Sequence, residues 1–141
     1  MVFNMSFDAR NNLLRVTLEG EVTDAILADS YATAAKYVAA NPPCRGVWDF
    51  SKVTQFEVST DTIRELARTS PIIVSGHMRV VVAPQDHLYG MARMFQILGQ
   101  ETRSDLHVVR TMDEAYCLLQ VELPEFVPIE RAGRLTKAEP D

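Results

Sequence analysis

Two short stretches near the start of the chain, Val2 to Phe7 and Leu13 to Leu18, alternate apolar and polar residues at period two, and the ARNN between them is turn chemistry. Together they predict an antiparallel hairpin. In the second stretch Leu14, Val16 and Leu18 share one face while Arg15, Thr17 and Glu19 take the other, as in a sheet with different surroundings on its two sides. Gly20 is expected to end that strand. From Thr23 to Ala40 the period lengthens. Ile26, Leu27, Tyr31, Ala34 and Val38 recur at helical spacing on an Ala-rich background, with Thr23 or Asp24 as N-cap and Asn41-Pro42-Pro43 as a stop.

A strand from Gly46 to Phe50 comes next, then a loop, SKVTQFEV, and a helix from Thr60 to Arg68 in which Thr62 and Glu65 have capping-box spacing. The pattern from Ser70 to Gly76 is ambiguous. RVVVAP at 79–84 is a near-continuous β-branched run, the mark of a strand covered on both faces, and is the expected centre of the sheet. In DHLYGMARMFQILG, Leu88, Met91, Met94, Phe95 and Leu98 form one stripe, with Asp86 as the candidate cap and Gly99 as terminator. A last strand, Leu106 to Arg110, leads into a helix opened by the capping-box pair Thr111 and Glu114. Beyond Val121 three prolines and no period mark residues 122–141 as an extension, either a packed arm or disordered, outside a domain of residues 1–121. The order β-β-α-β-α-β-α-β-α predicts an α/β domain: a mixed sheet whose initial hairpin is antiparallel and whose later β-α units are parallel, with about four helices.

Composition narrows the classes of function. A chain of 141 residues with 47% hydrophobic residues is enough for one sizeable core. A formal net charge of -5 lacks the clustered Lys/Arg that phosphate backbones or anionic membranes require, so no nucleic-acid partner is expected. No window approaches the roughly 20 apolar residues of a bilayer span, and the N-terminus lacks a secretory leader, so a cytoplasmic protein without stable membrane insertion is expected. Cys44 and Cys117 are isolated and read as free thiols.

Catalytic chemistry is not advertised. His77, His87 and His107 lack metal-ligand spacing, no nucleophile elbow, phosphate loop or dinucleotide fingerprint is present, and neither catalytic residues, a metal nor a cofactor is expected. Three features carry the candidate sites. Ser59 stands where a helix begins, so its hydroxyl either caps that helix or accepts a phosphate, which the helix N-terminus would hold. Asp49 ends a strand, where α/β sheets often bind ligands, or closes an Asx-turn onto Ser51. The stripe of Met91, Met94, Phe95 and Leu98, with Tyr89 beside it, is ordinary core, a dimer face or the wall of an apolar ligand pocket.

Three motifs also invite comparison with a family. LLRVTLEGEVTDA resembles the second strand and first helix cap of STAS domains, the fold of bacterial anti-sigma-factor antagonists. VWDFSKVTQFEVST looks like their central strand and switch loop, and RTMDEAYCLL is similar to their closing strand and final helix. The resemblance spans about Phe7 to Leu119 and is nearest to a divergent STAS/Sec14-like bacterial branch. It implies a non-enzymatic interaction domain that meets a protein partner, such as an anti-sigma factor or kinase-like regulator, through Asp49, Ser51, Glu57, Thr60, Asp61 and Arg64, with Ser59 on the phosphorylated serine. Val58 and Thr60 depart from that pattern, which has serine and glycine there. A homodimer is compatible with it. The alternative is a small-molecule or lipid carrier, its ligand held between the sheet and the helix from Tyr89 to Leu98.

Overall fold

The computed structural model describes residues 3–69, 77–99 and 105–129. The ambiguous stretch from Ser70 to Gly76 and the tail from residue 130 lie outside the described residues. A hairpin of β1 (Phe3–Asp8) and β2 (Leu13–Thr23) leads into α1 (Asp24–Ala39), β3 (Arg45–Glu57), α2 (Thr60–Arg68), β4 (Arg79–Val82), α3 (Asp86–Leu98), β5 (Leu106–Val109), α4 (Met112–Leu119) and β6 (Val127–Ile129). The strands form one mixed sheet in the order β5-β4-β3-β2-β1-β6. β1 pairs antiparallel with β2 and β6, while β2, β3, β4 and β5 are parallel neighbours. The architecture is the α/β mixed sheet that the alternation of periods predicts.

Side-chain alternation divides the core in two. On one face Leu14, Val16, Leu18, Trp48, Phe50 and Val81 meet α1, α2 and α3 through residues such as Tyr31, Ile63, Met91 and Phe95. On the other, Leu13, Val47, Val80 and Val82 meet α4 through Ala115 and Leu119. All four residues of β4 are therefore buried, as the β-branched run requires. The expectation that β4 lies at the sheet centre is nevertheless corrected: it stands next to the edge strand β5, and its burial comes from helices on both faces.

Two further corrections concern β2 and β3. Gly20 does not end β2, which continues to Thr23, and SKVTQFE is the far half of β3 rather than a loop. The two strands stay paired from Leu13 and Arg45 to Thr23 and Glu57 with two register shifts, each placing an extra residue in β3. The Asp49 carboxylate accepts the Ser51 amide at 2.9 Å and hydroxyl at 2.6 Å, bracing the first shift. Gly20 adjoins the second with φ +72°, a left-handed conformation that suits glycine.

The chain beyond Val121 returns to the sheet. Glu125 donates its backbone N–H to Asp8 at 3.1 Å, Arg15 stacks 4.1 Å over the Phe126 ring, and β6 pairs with β1. Burial of Asp8 works against its ionisation but is outweighed by hydrogen bonds from Asn11 and Glu125, so its carboxyl lies below the usual value. Pro128 is admissible in β6 because a strand at the sheet edge need not donate on its outer side.

Gly20→Ala is expected to destabilise the fold by about 1–2 kcal/mol through backbone strain alone, since a Cβ there would meet nothing within 4 Å. Gly20→Asn is expected to lose less. Chemical denaturation measures both, and an alanine variant as stable as the parent would contradict the assigned conformation.

Candidate functional site

The hydroxyl of Ser59 sits where the sequence places it. Ser59 is exposed, has extended backbone angles and caps α2 by accepting the Thr62 amide at 3.2 Å. Its own N–H donates to Asp24 Oδ1 at 2.8 Å, and its hydroxyl donates to Asp24 Oδ2 at 3.3 Å. Asp24 opens α1, itself capped by Thr23 through the Ile26 amide. One carboxylate therefore ties the starts of α1 and α2 together. The pair Thr62/Glu65 is not the capping box; Thr62 is instead the third residue of α2, bonded back to Ser59. The true capping box is the one expected at Thr111 and Glu114.

Around Ser59, the side chains of Glu57, Thr60, Asp61 and Arg64 are exposed, and Arg64 pairs with Asp61 at 3.4 Å on the helix surface. Such an exposed pair contributes little to stability. Asp49 and Ser51 do not join this group. Asp49 is buried on the face of the sheet that α4 covers, and eight residues of strand, roughly 25 Å or less at the usual rise, separate it from Glu57. The resemblance-based surface thus splits into a bulge brace at Asp49 and Ser51 and a capped helix start at Ser59.

A second feature lies between the sheet and α1, α2 and α3, where mostly apolar side chains line a partly open cavity of about 50 Å³. Of the expected pocket residues, Met91 and Phe95 line it. Met94 is only half-buried, Tyr89 stacks under Arg110 at 4.0 Å, and Leu98 is 50% exposed, so these three do not line it. The helix stripe is therefore a wall only along its inner edge.

The remaining walls come from residues that periodicity assigns to ordinary core. α1 supplies Leu27 and Tyr31, β3 supplies Trp48, Phe50 and Phe56, and α2 supplies Ile63 and Leu66. The wall also holds a charge. Arg79, the first residue of β4, is 6% exposed, and its guanidinium lies 4.1 Å over Trp48 and 5.4 Å from both Tyr31 and Phe95. A desolvated cation over aromatic faces is stabilised by about 2 kcal/mol or more. Trp48 is 2% exposed, and its indole N–H finds no acceptor among the described residues. The available signal in the sequence is the position of Arg79, two residues before Val81 at the head of a buried strand, which fixes its side chain on the inner face.

No group of His, Cys, Asp and Glu among the described residues could hold a metal ion. The described lining of the cavity includes no carboxylate, histidine or thiol. Among the described residues, no helix is long and apolar enough to cross a membrane. Compared with known proteins, the sequence matches no family model and no curated protein.

Hydrogen bonding from the Ser59 amide, more than the opposing effect of burial, holds the Asp24 carboxyl below its ordinary value of 3.8, with the Thr62 and Ser59 hydroxyls adding to it. A carboxyl depressed in the folded state stabilises the fold above its unfolded value and loses that contribution as pH falls through the folded one. The stability difference between the parent and Asp24→Asn is thus expected to be full at pH 7 and to shrink below pH 3.8. Ser59→Ala is expected to cost about 1 kcal/mol as a lost cap. Denaturation at both pH values checks these outcomes, and an Asp24→Asn difference unchanged into strong acid would contradict the clamp.

Proposed function

We propose that this chain is a non-enzymatic binding domain that holds a compact apolar molecule between its sheet and the helices α1, α2 and α3. The observation that carries this reading is the cavity bounded by Tyr31, Trp48, Met91 and Phe95 in a layer that is otherwise closely packed. A largely apolar cavity favours an apolar guest. Binding rather than catalysis fits a lining whose chemistry is aromatic and aliphatic, with donors but no nucleophile or general base among the described residues.

Xenon dissolved in a solution of the full-length protein is expected to produce saturable shifts of the Met91 methyl and the Trp48 ring signals, since a space of about 50 Å³ suits a guest smaller than benzene. Ala92→Phe, which adds a ring at the cavity wall, is expected to abolish those shifts while leaving the circular dichroism spectrum unchanged. Absence of any saturable shift in the parent would contradict the reading.

A second reading rests on Ser59. An exposed hydroxyl at a helix N-terminus, in a chain whose motifs resemble those of STAS domains, supports a regulatory interaction domain whose partner, an anti-sigma factor or kinase-like regulator, meets the surface from Glu57 to Arg64. Phosphate at Ser59 would bring nearly two negative charges against Asp24 and break the clamp between α1 and α2. Mass spectrometry of the protein from its native host is expected to find phosphoserine at position 59. Its absence under varied growth conditions would remove the switch.

A further inference from the structure

Building on the cavity as a ligand site, we propose that α2 is its gate and that the hydrogen bonds between Asp24 and Ser59 are the latch, so that apolar molecules larger than the resting space enter when α2 swings outward. The helical walls are unequally anchored. α1 buries six of its residues and α3 buries three, whereas α2 buries Ile63 alone. Ile63 and Leu66 are also the residues that α2 presents to the cavity. A side chain that borders empty space lacks partner atoms on that side, so the helix with the least buried apolar surface is the wall that moves most readily.

The charged face of α2 does little to hold it in place. Its ion pairs, Arg64 with Asp61 at 3.4 Å and Arg68 with Glu65 at 3.2 Å, join residues of the same helix and tie it to no neighbour. The tie to α1 is made by Asp24, whose carboxylate accepts the Ser59 N–H at 2.8 Å and the Ser59 hydroxyl at 3.3 Å. Both bonds are exposed, so water replaces them when they break and no buried polar group is stranded. Such a latch opens at small cost yet sets the fraction of molecules that are open. Withdrawal of Ile63 adds the space of its side chain to the resting cavity of about 50 Å³. Leu27, Phe50, Leu88 and Met91 remain behind it, so the enlarged space stays apolar and selects an uncharged hydrocarbon body.

Toluene, whose ring exceeds the resting cavity, is titrated against the full chain, Asp24→Ala and Thr111→Ala, with xenon as the guest that needs no opening. Asp24→Ala is expected to bind toluene about ten times more tightly than the parent, because apparent affinity follows the fraction of molecules that are open. Xenon is expected to bind both alike. Thr111→Ala removes a helix cap at α4, on the opposite face of the sheet, and is expected to leave toluene binding at the parent level, which separates the gate from general loosening. In the parent, saturating toluene is expected to move the Ser59 amide proton upfield as that N–H loses its carboxylate partner, and this signal tests the same point should Asp24→Ala fail to fold. No difference in toluene binding between the parent and Asp24→Ala, or a Ser59 amide unmoved by bound toluene, would overturn the gate and leave the cavity standing where xenon binds. If xenon binds neither protein, the cavity reading falls and the gate with it.

Discussion

The guanidinium of Arg79 lies inside the apolar layer of this fold, and the shape of that layer follows from how the group is accommodated. Moving a cation out of water carries an effective penalty of several kcal/mol even after the protein relaxes. Arginine is the cation best suited to the move, because its planar, weakly hydrated head stacks on aromatic faces. Trp48, Tyr31 and Phe95 supply those faces from β3, α1 and α3. The cavity lies beside the same three rings, each of which forms part of its wall.

The length of β3 connects this layer to the rim of the molecule. Its first half places Trp48 and Phe50 under the helices, and its second half carries the chain to Val58 and the start of α2. Two extra residues in β3 are absorbed by bulges, one braced by Asp49 and Ser51 and one beside the left-handed Gly20. Asp24 then joins the starts of α1 and α2 through Ser59. Since α2 brings Ile63 and Leu66 to the cavity, whatever loosens that clamp also loosens one wall. The two candidate sites are thus mechanically adjacent although their chemistry differs.

Much of this was legible in the sequence because local rules and tertiary environment agree. Period two in the hairpin, helical spacing in α1 and α3, the capping box at Thr111 and Glu114 and the cap at Ser59 each follow from interactions within a few residues. The misreadings arise where neighbours distant in sequence decide. Bulges break the alternation in SKVTQFE, so a paired strand reads as loop. Gly20 reads as a terminator although it continues β2 in a conformation few other residues tolerate. Residues 127–129 show too short a pattern to announce a strand, and only β1 completes it. The cavity was half visible: Met91 and Phe95 lie on the helical stripe, whereas Arg79 reads as the polar start of a strand until β3 and three helices surround it.

The central claim is that the layer around Trp48 and Arg79 holds empty apolar space rather than closed packing. Xenon diffused under pressure into crystals of the full chain tests this most directly, because the gas occupies apolar cavities without needing any polar contact. The account predicts a xenon atom bounded by Trp48, Met91 and Phe95. Crystals that show the three side chains in mutual contact, with no xenon between the sheet and α3, would contradict it.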